Sequence, residues 1–96
     1  MRKESMKTGK KGKAVRFQLV TDPGNEVYVA GTFNKWDSRT HLLKFMPDAG
    51  SYLATLTLPP GRHEYKFVVN GKWRVDPKCP ETAPNLLGDV NSVIVV

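Results

Sequence analysis

Two tryptophans lie beside turn residues and charged side chains rather than within apolar runs. Trp36 ends the segment AGTFNKW (30–36), and Trp73 comes shortly after the pair Asn70-Gly71, which is typical of a turn, within HEYKFVVNGKWRVDP (63–77). An indole in such surroundings can stay half exposed, and its π-face can pack against the C–H face of a pyranose ring. The hydroxyls around that ring need donors and acceptors nearby, which Lys66 and Asn91 can supply. These residue types therefore favour a surface that binds sugar.

The elements that must position these residues are predicted to be strands. After Lys13, apolar residues alternate with polar ones, which is typical of half-buried β-strands. Strands are predicted from Lys13 to the turn at 21–25, and then at 26–30, 42–46, 52–58, 63–69, 72–75 and 90–96, with a long loop at 76–89. Asn70-Gly71 favours a two-residue hairpin turn. The pattern predicts an all-β fold, an immunoglobulin-like antiparallel β-sandwich of about seven strands.

The net charge of +6 is concentrated at the N-terminus. Residues 1–16 hold seven basic side chains and one acidic side chain, whereas the other 80 residues hold eight of each. Because a Lys/Gly/Ser-rich segment does not pack, residues 1–12 are predicted to form a flexible basic tail and residues 13–96 the folded domain. An anchoring role of the tail on an acidic partner stays open. The neutral body favours a neutral ligand.

Several classes of protein are disfavoured by composition and spacing. The single cysteine excludes an internal disulfide. No segment approaches the roughly 18–20 apolar residues of a membrane-spanning helix. We therefore expect a soluble cytoplasmic protein without a membrane partner. Neither histidine has a metal-ligand spacing, and no phosphate loop is present, so no cofactor is expected. Asp37, Glu64 and Asp76 could imitate a glycosidase pair, but a small sandwich offers an exposed face rather than a cleft. We expect no enzymatic activity.

Four segments, taken in order, resemble the glycogen-binding domain of the β-subunits of AMP-activated protein kinase. They are VYVAGTFNKW (27–36), LPPGRHEYKF (58–67), NGKWRVDP (70–77) and LGDVN (87–91). That domain belongs to the early-set sandwiches of carbohydrate-binding module family 48, which are also appended to glycogen branching and debranching enzymes. The resemblance covers nearly everything after Lys13 and implies the same fold.

The resemblance also implies roles for individual residues. Trp36 and Trp73 would stack on successive glucose units, while Lys66 and Asn91 would form hydrogen bonds with glucose hydroxyls. Leu87, at the tip of the long loop, would press through the curve of an α-1,4-linked glucan. The function implied is a non-catalytic module that binds glycogen, starch or maltooligosaccharides, with a glycogen-metabolism enzyme or kinase as a further partner.

Asp89 departs from the family pattern, since the kinase domains typically carry a threonine there that also contacts sugar. A carboxylate still accepts hydrogen bonds from hydroxyls, but it must be partly desolvated to do so, which costs free energy. We therefore keep Asp89 in the predicted site and expect a lower affinity than in the kinase domains.

Other interpretations stay open. The sandwich could be an interaction module for a kinase or amylase-type enzyme that has lost sugar binding. The tail and the exposed aromatics could instead bind nucleic acid by base stacking, although we expect no nucleic-acid partner. Four of the candidate residues also have a purely structural interpretation: Trp73 in the core, Trp36 as a lid over the sandwich edge, Lys66 as a solvated side chain and Asn91 as a loop cap.

Overall fold

The computed structural model describes residues 12–85 and 88–96. Apart from Gly12, the predicted flexible tail lies outside these residues, and so does the predicted site residue Leu87. Within the described range, no helix has the length and apolar character needed to cross a membrane.

The described part of the chain is built from strands and one short 3-10 turn, with no α-helix. The strands are β1 (Lys13–Val20), β2 (Val27–Gly31), β3 (His41–Met46), β4 (Ser51–Leu58), β5 (Arg62–Val69), β6 (Lys72–Arg74), β7 (Thr82–Pro84) and β8 (Val90–Val95). The 3-10 turn, Thr32–Asn34, follows β2 directly. The all-β prediction is confirmed, and seven of these strands lie within one or two residues of their predicted bounds.

Strand β7 corrects the prediction of an uninterrupted loop at 76–89. Its three residues pair with β8, with Thr82 opposite Ser92 and Pro84 opposite Val90. The segment has three residues and includes a proline, so it shows no alternation that could have indicated a strand. Proline is tolerated there because β7 lies at the edge of the sheet, where a missing N–H interrupts no inner ladder.

All strand pairs are antiparallel, and one hydrogen-bonded path runs β1-β4-β3-β2-β5-β8-β7, with β6 paired separately to β5. Strand β3 changes partner along its length. Residues 41–43 pair with β2, whereas residues 44–46 pair with β4. The sheet therefore turns at β3 and divides into two layers that share this strand.

The two layers pack face to face around aromatic side chains. Phe17 of β1 has its ring centroid 4.9 Å from that of Tyr65 in β5 and 5.6 Å from that of Phe33 in the 3-10 turn. Since β1 and β5 are not hydrogen-bonded neighbours, these contacts show that the layers form a sandwich, as predicted. The buried core comprises Phe17, Leu19, Val27, Val29, Leu43, Tyr52, Leu58, Tyr65, Phe67 and Val69.

We expect Phe17→Ala to lower the free energy of unfolding by about 3–5 kcal/mol, because it removes a large buried ring and leaves a cavity between the layers. Phe17 is 2% exposed. Val20 lies three residues further along the same strand, and 54% of it is exposed. Val20→Ala should change the free energy of unfolding by less than about 0.5 kcal/mol. Urea unfolding monitored by tryptophan fluorescence measures both. Similar losses in the two variants would contradict the assignment of Phe17 to the core.

Candidate functional site

The outer face of β5, opposite the core, forms the floor of an open groove. Along this strand Tyr65 and Phe67 point into the core, so Glu64, Lys66 and Val68 lie on the other face. The groove has a volume of about 740 Å³. It is lined by residues from β5, β6, β7, β8 and the adjoining loops: Thr32, Trp36, Glu64, Lys66, Trp73, Pro84, Asn85, Asp89 and Asn91.

Trp73 is positioned by the hairpin between β5 and β6. Asn70 and Gly71 have φ values of 51° and 82°, as a type I′ turn requires, so the predicted turn residues are correct. This turn sets the register in which Trp73 pairs with Val68 across the strands. Trp73 is 46% exposed, whereas Val68 beside it is buried. Trp73 is therefore not a core residue.

Trp36 is held by a tight turn after β2. The side chain of Asn34 accepts a hydrogen bond from the Gly31 N–H (3.0 Å) and donates one to the Val29 carbonyl (3.2 Å). Lys35 and Trp36 then adopt left-handed backbone conformations, with φ of 57° and 60°. This conformation is unfavourable for a bulky residue, and the hydrogen bond from the Trp36 N–H to the Gly31 carbonyl (2.9 Å) helps to retain it.

The structure brings the two indoles together at the groove. Their ring centroids are 6.3 Å apart, and their planes are tilted by 50°. Trp36 is half-buried and Trp73 is exposed, so neither ring is enclosed between the layers. The pair thus offers two neighbouring aromatic faces that are inclined to each other.

Lys66 is buried on the groove floor and forms an ion pair with Asp89. Only 6% of the residue is exposed, and its Nζ lies 2.6 Å from Asp89 Oδ2. The interpretation of Lys66 as a solvated lysine is therefore wrong. Asp89 also accepts a hydrogen bond from the Val90 N–H at 2.8 Å. The Lys66 ammonium, followed by this N–H, holds the pKa of Asp89 below its usual value, so the carboxylate is charged at neutral pH.

Asn91 is buried within a hydrogen-bonded chain rather than acting as a loop cap. Its Nδ2 donates to Glu64 Oε1 at 2.9 Å, and its Oδ1 accepts from Asn85 Nδ2 at 3.2 Å. Arg62 contacts the other Glu64 oxygen at 2.7 Å. The hydrogen bond from Asn91, followed by that from Arg62, lowers the pKa of Glu64. The Asn91 amide is thereby fixed at the groove wall.

The loop between β7 and β8 is tied to the same wall. The Asn85 N–H donates to the Asp89 carbonyl (2.9 Å), and the Asp89 N–H donates to Asn85 Oδ1 (3.1 Å). These bonds place Asp89 over Lys66. Leu87, predicted at the tip of this loop, lies outside the described residues.

Of the lining residues in the described part of the chain, four were missing from the predicted site: Thr32, Glu64, Pro84 and Asn85. The alternation of β5 could have placed Glu64 beside Lys66, since residues two apart share a face. Asn85 follows β7, for which the sequence carried no signal.

Three carboxylates could have imitated a glycosidase pair: Asp37, Glu64 and Asp76. Of these, Asp37 and Asp76 do not line the groove, and Asp76 Oδ2 accepts a hydrogen bond from the Tyr65 hydroxyl at 2.6 Å. Among residues 12–85 and 88–96, no cluster of three or more His, Cys, Asp or Glu could hold a metal ion.

Comparison of the sequence with known proteins gives a match to one family profile. The profile described as "Glycogen recognition site of AMP-activated protein kinase" matches residues 14–96. The chain is 40% identical over 76 residues to 5′-AMP-activated protein kinase subunit beta-2 of Homo sapiens, and 42% and 41% identical over the same length to the beta-1 subunits of Bos taurus and Sus scrofa.

These alignments cover 79% of this chain, but 26% of the human and bovine subunits and 58% of the porcine sequence. The chain thus spans about a quarter of the length of most of these curated relatives. The resemblance inferred from the four segments is confirmed, because the profile extends over all eight strands apart from the first residue of β1. The chain therefore belongs to the family of AMP-activated protein kinase glycogen-recognition domains.

Proposed function

We propose that the groove binds an α-1,4-linked glucan, such as glycogen, starch or a maltooligosaccharide, without acting on it chemically. The observation that supports this most directly is the position of the tryptophans. Both tryptophans of the chain line one open groove, next to Lys66, Asp89 and Asn91. Membership in the glycogen-recognition family supports the same ligand class.

The two indoles stack on successive glucose units in this mechanism. The planes of consecutive rings in an α-1,4-linked chain are inclined to each other, whereas in a flat β-1,4-linked ribbon successive rings are flipped but their planes stay nearly parallel. A pair of aromatic faces tilted by 50° suits the curved chain better than the flat one. Each stack contributes about 0.5–1.5 kcal/mol beyond the burial of apolar area, if the magnitudes for aromatic pairs apply.

The polar wall of the groove forms hydrogen bonds with the glucose hydroxyls. An ammonium has three N–H donors, and Lys66 uses one of them on Asp89. Asn91 has two donors and two acceptor lone pairs, of which Glu64 and Asn85 take one each. After the costs of association we expect a total of about 4–7 kcal/mol, which is a Kd from about 1 mM to about 10 μM.

The carboxylates of the groove do not suit glycoside hydrolysis. A catalytic acid at neutral pH needs a raised pKa, as in retaining and inverting glycosidases. The pKa values of Glu64 and Asp89 are both lowered, by their hydrogen bonds to Asn91 and Lys66 respectively. Neither group would hold the proton that a leaving oxygen requires.

A weak binding site of this kind can attach a partner to a polymer that offers many sites, where avidity increases the overall affinity. The relatives are named as subunits of 5′-AMP-activated protein kinase. By analogy we propose a kinase or glycogen-metabolism enzyme as the partner.

The alternative function is that of an interaction module that has lost sugar binding. Titration calorimetry distinguishes the two functions, because such a module would release no heat with maltoheptaose at millimolar concentration.

Trp36→Ala and Trp73→Ala should each weaken the binding of maltoheptaose by about 5- to 30-fold, because each removes one stacking surface worth about 1–2 kcal/mol. Retention on an amylose column and titration calorimetry measure the loss. Tyr28→Ala is the matched control, since this aromatic residue lies outside the groove lining. Full retention of either tryptophan variant, with folding intact, would contradict the stacking mechanism.

Glu64→Ala should weaken glucan binding by about ten-fold, because the buried Asn91 amide loses the acceptor that orients it, at a cost of about 1–3 kcal/mol. Glu64→Gln keeps an acceptor oxygen at the same position and should bind within about three-fold of the unmodified protein. Calorimetry with maltoheptaose compares the two. Equal losses in both variants would show that the charge of Glu64 matters, and not its hydrogen bond to Asn91.

Glucan binding should change by less than about two-fold between about 50 mM and about 500 mM salt, because the ligand carries no charge. Phosphate-mediated binding of nucleic acid would weaken steeply over the same range. Removal of residues 1–12 should leave glucan binding unchanged. A steep salt dependence that disappears with the tail would favour the nucleic-acid interpretation instead.

A further inference from the structure

The charges of the groove are arranged as two neutral pairs. Lys66 Nζ lies 2.6 Å from Asp89, and Arg62 lies 2.7 Å from Glu64. Three of these residues line the groove, and the fourth, Arg62, holds the outer oxygen of Glu64. The buried ammonium on the groove floor is therefore neutralised at its only polar contact within the described residues.

We propose that Asp89 is a specificity-determining residue, which makes the groove selective for uncharged glucans over glucans that carry phosphate groups. This inference rests on the proposed function. Without Asp89, the groove floor would present an uncompensated ammonium to a ligand, and a phosphate dianion would be attracted to it. With Asp89, that attraction is cancelled where the ligand enters.

The positions of the two side chains support this role. The Lys66 side chain is 8% exposed, so its charge acts on a ligand mainly through the groove. The Asp89 side chain is 65% exposed and lies above it at the rim. An anionic ligand would meet the carboxylate before the ammonium, and like charges brought together are disfavoured. A neutral hydroxyl has no such penalty and can donate a hydrogen bond to the same carboxylate.

The contacts of Asp89 also allow its charge to be removed while one oxygen acceptor is kept. The Lys66 ammonium donates to Oδ2 and the Val90 N–H donates to Oδ1, so a single neutral oxygen can replace the acceptor for one of these two donors. Asp89→Asn supplies an amide oxygen, and Asp89→Thr supplies a hydroxyl oxygen. Asp48→Asn is a matched control, because it makes the same change of charge at an exposed turn outside the groove lining.

The test compares maltoheptaose with maltoheptaose that carries one phosphate on a C6 hydroxyl. Calorimetry and tryptophan fluorescence give both association constants, and both tryptophans that report the fluorescence line the groove. The unmodified protein should bind the neutral oligosaccharide more tightly. Asp89→Asn and Asp89→Thr should shift the ratio of the two constants toward the phosphorylated ligand by about 3- to 10-fold at low salt. The shift should shrink in about 1 M salt.

Asp48→Asn should leave the ratio unchanged. The proposal is overturned if the Asp48 and Asp89 variants shift the ratio equally, if the shift persists at high salt, or if neither Asp89 variant folds, because Asp89 would then serve stability. Failure of the unmodified protein to bind maltoheptaose at all is a different result, and it would overturn the proposed function itself.

Discussion

Strand β5 is buried on both faces, and the core and the groove both depend on its register. Tyr65 and Phe67 pack between the layers, while Lys66 and Val68 lie on the opposite face beneath the tryptophans and the loop before β8. Because side chains alternate along a strand, a shift of one residue would exchange the two sets. Pairing with β2 on one side and with β6 and β8 on the other fixes this register. The geometry of the site is thus a consequence of how the core is packed.

The buried ammonium of Lys66 imposes a second requirement on the fold. A buried charge without a partner is strongly destabilising, so a group of opposite charge must be held close to it. The loop before β8 provides Asp89, and hydrogen bonds between Asn85 and Asp89 hold that loop in place. Asn85 also contacts Asn91, which joins the loop to the wall of the groove. Stability and the arrangement of the polar groups therefore have the same physical origin.

The family assignment and the groove give complementary information. Among residues 12–85 and 88–96, those that line the groove lie between Thr32 and Asn91, within the part of the chain that matches the glycogen-recognition profile. In the proposed specificity, the Asp89 carboxylate acts on the choice among glucans, while its ion pair with the buried Lys66 also contributes to the stability of the fold.

The strands, the Asn70-Gly71 turn and the opposite facing of Lys66 and Tyr65 were predictable from the sequence, because they depend on neighbouring residues and on the alternation of a strand. The ion pair of Lys66 with Asp89 joins residues 23 positions apart, and the contact between the two tryptophans spans two separate turns. Strand β7 forms only because β8 provides a partner for a segment without any alternation of its own. These features were decided by the tertiary structure, since they depend on the packing of distant segments rather than on local preference.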